Sequence, residues 1–340
     1  MLRDLVARHG PPYDGLMTYS ADLEQHIEEA RLFNQQAANY MPPMSFESAE
    51  DIVRMREFMD APDSPFSVLM GEPVLPVSEM SIPGPAGPIP ARVLRPDEVR
   101  AVYLDIHGGA WMIGSPRMDD VENDELARSC GVATVSIDYR MAPEHRLTDS
   151  MDDCEAAAVW LMEHARSDFG TDRLLIGGGS AGAHLAAMTL LRLRDRHGAA
   201  DRFLGANLVF GCYDLSGTPS SRLRRTESWV LRPAMFEAVH EYVMERREPE
   251  ALRDPALSPL YANLTGLVPA LFSVGALDPL LDDSLFMTAR WQSAGNPAEL
   301  AVYPESEHGF TGFPTGMARA ARARQHDWTR ARLEAVAPVG

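Results

Sequence analysis

Lysine is missing from all 340 residues of this chain, so its 31 basic side chains are arginine. That absence excludes Schiff-base chemistry, pyridoxal phosphate attachment and the lysine of a P-loop. Cysteine is scarce: Cys130, Cys154 and Cys212 give neither a disulfide framework nor paired metal-ligand spacing, and buried free thiols are expected. No H-E-x-x-H and no paired C-x-x-C occurs, so no metal is expected, and no cofactor. Long apolar runs are missing too; none approaches the ~18 residues of a membrane span. Met1 to His9 is charged throughout and lacks the apolar stretch of a signal peptide, which leads to the expectation of a cytoplasmic protein with no membrane partner. A formal net charge of -18 repels nucleic acid and anionic lipid surfaces alike.

The 45% hydrophobic content is ordinary for a globular protein and suits one large core. Its most informative stretch is Gly178-Gly179-Ser180-Ala181-Gly182, which follows the apolar run from Arg173 to Gly177 and opens into an alanine-rich helical segment. It reads as a nucleophile elbow, a strained strand-to-helix turn that lifts a serine hydroxyl out of the sheet edge. Three other chemical parts follow strand-like runs. His107-Gly108-Gly109-Ala110-Trp111 comes after 101–106, Asp278 after 270–274, and His308 after 298–303. An oxyanion loop, then serine, acid and histidine in that chain order, is the arrangement of an acyl-transfer triad.

Strand-type runs at about 101–106, 132–138, 173–177, 206–211, 270–274 and 298–303 alternate with helical segments near 119–130, 150–166, 181–196, 281–294 and 315–334. Such alternation predicts a parallel, doubly wound α/β sheet with ligands at the carboxyl ends of its strands. Runs near 74–77 and 91–94, with Ile82-Pro83-Gly84-Pro85 as the turn between, predict a leading antiparallel hairpin. Residues 1–65 read as an N-terminal helical cap segment, with helices over 21–39 and 49–59, and 66–340 as the catalytic domain. An arginine-rich, helical interruption at about 218–255 reads as a cap insertion over the site.

Three further segments carry a resemblance. Asp138-Tyr139-Arg140-Met141-Ala142-Pro143-Glu144-His145 is similar to a DYRLAPEH signature, Asp254-Pro255 with Ser258-Pro259 to a segment that precedes the next strand, and Asp278-Pro279-Leu280-Leu281-Asp282-Asp283 to a DPLxDE acid motif. With the elbow and the oxyanion loop, the chain from about residue 65 onward resembles the hormone-sensitive-lipase-like family of α/β-hydrolases. The resemblance implies an α/β-hydrolase fold, with a mostly parallel sheet of about eight strands and a helical cap. It also implies a serine carboxylesterase acting on small-molecule, short- to medium-chain esters. Ser180 would be the nucleophile, His308 the base and then the acid, and Asp278 the residue that orients the imidazole. The backbone N–H groups of Gly108, Gly109 and Ala181 would form the oxyanion hole. A homodimer built through the last strand is implied as well. The chain departs from the family at Ala110, in place of a third glycine, at Gly179, in place of aspartate, and at Ala183-His184, in place of Gly-Asn. The HGG[G/A]X type of loop implies a roomy alcohol side that accepts bulky or tertiary alcohols.

Some assignments remain open on residues alone. Asp282, Asp283 and Asp214 compete with Asp278 for the role of acid, and acidic residues at a helix start also serve the dipole. Trp111, Met112 and Tyr213 are candidate pocket walls; His184, one helical turn after Ser180, either lines the pocket or packs beneath the elbow. Asp138 and Glu144 fit a turn beside the oxyanion loop. The methionines at 17, 41, 44, 55 and 59 suit either an adaptable apolar lid or ordinary helix packing. A hydrolase of another acyl bond (amide, lactone or carbamate) would use the same triad, and a non-catalytic ligand-binding member of the fold is a third reading.

Overall fold

The computed structural model describes residues 21–40, 45–61, 71–224 and 228–335. Eight strands form one sheet: β1 (Val77–Gly84), β2 (Gly87–Leu94), β3 (Ala101–Ile106), β4 (Val132–Ile137), β5 (Leu174–Gly179), β6 (Phe203–Val209), β7 (Ala270–Gly275) and β8 (Ala298–Tyr303). Their order is β1-β2-β4-β3-β5-β6-β7-β8. The first hairpin joins antiparallel to β4, and all pairings from β4 to β8 are parallel. This is the mostly parallel sheet expected of an α/β-hydrolase.

Side chains alternate across a strand, so β3 feeds two different layers. Val102, Leu104 and Ile106 join the large core with the helices Leu147–Phe169 and Ala181–Arg192. Ala101 and Tyr103 join Leu126, Cys130 and Leu333 under the helices Asp120–Cys130 and Gly316–Ala335. Asp105 continues that second face toward the carboxyl end of the strand and is 5% exposed. Gly131 (φ 67°) and Gly170 (φ 80°) end two of these helices in left-handed caps, each sending its N–H back to the helix.

The boundaries differ from expectation in three places. The proposed turn at Ile82-Pro83-Gly84-Pro85 is strand as far as Gly84, with Pro83 opposite Pro88 and Gly84 opposite Gly87. β1 is an edge strand, and an edge tolerates proline because one side has no ladder to supply. The helix expected over 21–39 is two pieces, Ala21–Glu24 and Ile27–Tyr40. The α-helix after the elbow ends at Arg192, and the remainder, Leu193–His197, winds as a π turn closed by Gly198 (φ 62°). The interruption before β7 contains the short helices Pro219–Arg224, Pro233–Ala238 and Pro249–Leu252.

Candidate active site

Ser180 follows β5 directly and has φ 55°, ψ −118°, a left-handed conformation for a residue with a Cβ. Its N–H donates to the Val209 carbonyl of β6 at 2.8 Å. The turn is held tightly against β3: a Cβ on Gly178 or on Gly182 would run into the Ile106 carbonyl oxygen. Only glycine permits that approach. The run from Gly177 to Gly182 also satisfies the G-x-G-x-x-G spacing of a dinucleotide turn, but here it presents a serine hydroxyl to a histidine.

The Ser180 hydroxyl donates to His308 Nε2 at 2.8 Å, and His308 Nδ1 donates to Asp278 Oδ2 at 2.8 Å. Asp278 is fully buried, and its second oxygen accepts from the Leu280 N–H at 2.8 Å. The Phe210 ring lies 4.8 Å from the imidazole, centroid to centroid. Three residues separated by 98 and 30 positions in the chain are thus joined by hydrogen bonds at the carboxyl ends of β5, β7 and β8.

The loop after β3 turns through three consecutive left-handed residues, Gly109 (φ 115°), Ala110 (φ 54°) and Trp111 (φ 58°). A Cβ at 109 would strike the Ile113 carbonyl. The Gly109 carbonyl is turned inward and accepts from the N–H groups of Met112 and Ile113 at 3.0 and 2.9 Å. Among the described residues, the N–H groups of Gly108 and Gly109 donate to no protein acceptor. The Ala181 N–H opens the helix that follows Ser180, at its positive dipole end.

Ser180 and His308 open onto a cavity of about 250 Å³. Apolar side chains from separate parts of the chain line it, including Met59 from the helix Ala49–Asp60, Phe210, and Val230, Leu231 and Met235 from the interruption before β7. Its other arm is polar, with Asp105, Asn207 and Gln325 among the lining residues.

The sequence pattern of a family described as alpha/beta hydrolase fold matches residues 103–312. A carboxylic ester hydrolase, LipN, of Mycobacterium tuberculosis (strain ATCC 25618 / H37Rv) is 34% identical over 69% of this chain. The chain spans 64% of that protein's length. An esterase structure from Pyrobaculum calidifontis superimposes with a TM-score of 0.79 at 28% identity, covering 90% of this chain and 99% of that one. An esterase of the bacterial hormone-sensitive lipase family gives a TM-score of 0.71 at 26% identity, over 93% of this chain and 100% of the other. The chain belongs to the hormone-sensitive-lipase-like family of α/β-hydrolases. The family match includes Ser180, Asp278 and His308.

Within this α/β-hydrolase, the candidate pocket walls Trp111, Met112 and Tyr213 lie outside the cavity lining, and so does His184, which packs instead. Trp111 donates from Nε1 to His184 Nδ1 at 3.2 Å, and His184 Nε2 donates to the Leu257 carbonyl at 2.7 Å. His184 therefore ties the oxyanion loop to the segment before β7, and burial lowers its pKa to about 4, which keeps it neutral. Met112 and Tyr213 have no exposed surface, and the left-handed turn at 109–111 aims Trp111 and Met112 into the core rather than at Ser180.

The rival acids have other partners. Asp283 accepts from the N–H groups of Tyr213 and Asp214 at 2.6 and 2.8 Å and from the Thr218 hydroxyl at 2.7 Å. Asp282 accepts from the Ser220 N–H at 2.8 Å, and Asp214 from the Tyr261 hydroxyl at 2.9 Å. All three therefore pin the chain after β6. Glu144 pairs with Arg56 of the Ala49–Asp60 helix, whose Nε also donates to the Met112 carbonyl at 2.5 Å. Nothing in sequence spacing pointed to Arg56. Met55 and Met59 pack against or within the core, and Met59 also lines the cavity; Met17, Met41 and Met44 lie outside the described residues. Cys130 and Cys154 are buried, whereas Cys212 is half-buried, and burial raises all three thiols above their usual range. Among the described residues no helix is long and apolar enough to cross a membrane.

Proposed function

We propose that this enzyme, a carboxylic ester hydrolase by family, cleaves short- to medium-chain esters through an acyl-enzyme on Ser180. The observation that carries the reading is the continuous hydrogen-bond chain from Ser180 Oγ through His308 to Asp278, at 2.8 Å in both steps. A serine hydroxyl attacks only when a positioned base takes its proton, and His308 Nε2 is within reach to do so. Asp278 keeps the proton on Nδ1 and stabilises the imidazolium that forms. The carbonyl oxygen, now negative, is held by the N–H groups of Gly108, Gly109 and Ala181. His308 returns the proton to the departing alkoxide, then activates the water that releases the acid. No cofactor enters these steps.

A cavity of about 250 Å³ is smaller than most ligand pockets, which run from roughly 300 to 1,000 Å³, and so supports short over long acyl chains. The helix Ala49–Asp60 and the segment 218–255 act as a cap, since Met59, Val230, Leu231 and Met235 supply its apolar wall. The cytoplasm is the proposed location. A homodimer forms through β8, one of the two edges of the sheet, and light scattering that returns a monomer at every concentration dismisses it.

The deciding experiment is the initial rate on p-nitrophenyl esters from acetyl to long acyl, with Ser180→Ala in parallel. A rate that peaks at short or medium chains and falls by about 10⁴-fold or more in the variant supports the reading. Equal rates in the two proteins remove Ser180 from the mechanism, and activity confined to amides, lactones or carbamates moves the triad to another bond.

A further inference from the structure

The cavity continues past Ser180 along the second face of the sheet, between β3 and β6 and beneath the helices Asp120–Cys130 and Gly316–Ala335. An apolar acyl pocket is the ordinary expectation for an esterase on simple fatty acyl chains. Here the lining carries three carboxyl groups, Asp105, Asp119 and Glu122, against one guanidinium, Arg322, whose Nε donates to Glu125 at 2.7 Å. Burial raises all three carboxyl pKa values, and in Asp119 the Asp105 charge adds to it, so these groups hold their protons more tightly than free carboxyls.

Two buried polar atoms in this lining lack a partner: the acceptor Asn207 Oδ1 and the donor Gln325 Nε2. Their residues are 5% and 6% exposed. Unpaired polar atoms at that depth are rare in folded proteins and call for a ligand or water. Asp105 accepts from Asn123 at 2.9 Å and Ser136 at 2.6 Å on Oδ2 and also shares a hydrogen bond with Asp119. Among the described residues, no three acidic, histidine or cysteine groups converge as a metal site would require. What the arm lacks is a group that donates to Asn207 Oδ1 and one that accepts from Gln325 Nε2.

An arm buried between sheet and helices suits the acyl half of an ester. The alcohol must depart through the mouth while the acyl group stays bonded to Ser180. We propose that this polar arm binds the acyl group, and that the substrate is an ester whose short acyl chain carries a hydroxyl, which can donate to Asn207 Oδ1 and accept from Gln325 Nε2. The inference rests on the acyl-enzyme reading above.

The test compares kcat/KM for ethyl butanoate, ethyl 4-hydroxybutanoate and the ammonium form of ethyl 4-aminobutanoate, with their shorter and longer homologues, by titrating released acid. At least one hydroxy ester is expected to exceed its unsubstituted parent by about tenfold or more, because the parent leaves buried polar groups unpaired. An ammonium ester preferred over every hydroxy ester overturns the proposal, because an ammonium cannot accept from Gln325 Nε2. In Asn207→Leu and Gln325→Leu the hydroxy-to-parent ratio is expected to fall toward one. A ratio at or below one at every length, with parent esters cleaved and Ser180→Ala inactive, overturns the proposal and leaves the esterase standing. A ratio unchanged in both variants overturns it as well. Failure to cleave any ester, with Ser180 unlabelled by a fluorophosphonate, removes the acyl-enzyme reading and this proposal together.

Discussion

Arg56 donates from Nε to the carbonyl oxygen of Met112 at 2.5 Å, joining a helix near the start of the chain to the loop that begins at His107. The same guanidinium reaches the Ala142 carbonyl and both oxygens of Glu144. The Ala142 N–H in turn donates to the Trp111 carbonyl at 2.9 Å. One side chain thus holds both segments that flank the proposed oxyanion donors. Arg56→Ala is expected to lower kcat by about 10- to 10²-fold, the effect of a small misplacement of catalytic groups, with a lesser change in KM. Arg56→Lys restores little, because a single ammonium cannot reproduce the fork. Steady-state kinetics on a p-nitrophenyl ester checks this, and an unchanged kcat in the alanine variant means the loop keeps its shape unaided.

Asp278 and Asp283 are both fully buried and stand five positions apart, yet they do different work. Asp278 meets His308, whereas Asp283 receives three donors from residues 213 to 218. Asp278→Asn loses the acceptor that fixes the imidazole tautomer and is expected to cut kcat by about 10⁴-fold with the fold intact. Asp283→Asn turns an acceptor-only group into one that also donates toward N–H groups, at a cost of about 1–3 kcal/mol in stability. Paired kinetics and thermal melts separate the two; a stable but inactive Asp283 variant would reverse the assignment.

Each residue of the hydrogen-bonded chain Ser180–His308–Asp278 was legible because its signal is local: a strand-like run, then a glycine, aspartate or histidine motif at its end. The sheet was legible for the same reason, since alternating apolar and helical runs need no knowledge of the partner strand. Arg56 was not, because its partners lie 56 to 88 positions away and an arginine on a helix surface has no distinguishing pattern. Trp111, Met112 and Tyr213 lie away from the cavity they are expected to wall because direction past a left-handed turn depends on φ, which residue types do not encode; His184 takes the packing alternative. The polar arm did leave a trace: Asp105 and Asn207 interrupt otherwise apolar strands. Which face they occupy follows from register, and what lies opposite depends on helices far along the chain.

Close approach at the elbow makes Gly182 the most demanding glycine of the site. Its added Cβ would strike the Ile106 carbonyl oxygen and lie 2.8 Å from that of His107, both backbone atoms with little freedom to move. Gly182→Ala is expected to lose about 1–3 kcal/mol of stability by overpacking, and about 10²-fold in kcat as β3 and its loop shift. Gly170→Ala is the control: its φ is 80°, but nothing lies within 4 Å of the new Cβ. It should lose about 1–2 kcal/mol from the left-handed backbone alone and keep full activity. Equal kcat losses in both variants would refute a steric role for Gly182.

Glu307 precedes His308 and is 6% exposed, with Oε2 accepting from the Ser228 hydroxyl at 2.7 Å. Burial raises its pKa from 4.5 to about 7; the Asp278 charge adds to this and the Ser228 bond opposes it. The folded state therefore binds the proton more tightly than the unfolded one, so this stabilisation is complete below about pH 4.5 and lost as pH rises through 7. His184 acts in the opposite sense: its folded value of about 4 lies below 6.5, so its contribution is lost as pH falls from 6.5 toward 4. Asp283, raised to about 7 by burial, acts in the same sense as Glu307, so only the difference between wild type and variant isolates Glu307. Glu307→Gln removes its slope. It should match the wild type near pH 4.5 apart from a constant offset and gain up to about 3 kcal/mol relative to it by pH 8. The wild-type rate profile should also carry an inflection near 7 that the variant lacks, because ionised Glu307 places a second negative charge beside the imidazole. Thermal melts and kcat across this range decide the matter, and a wild-type-to-variant difference that stays constant with pH rules out the titration of Glu307.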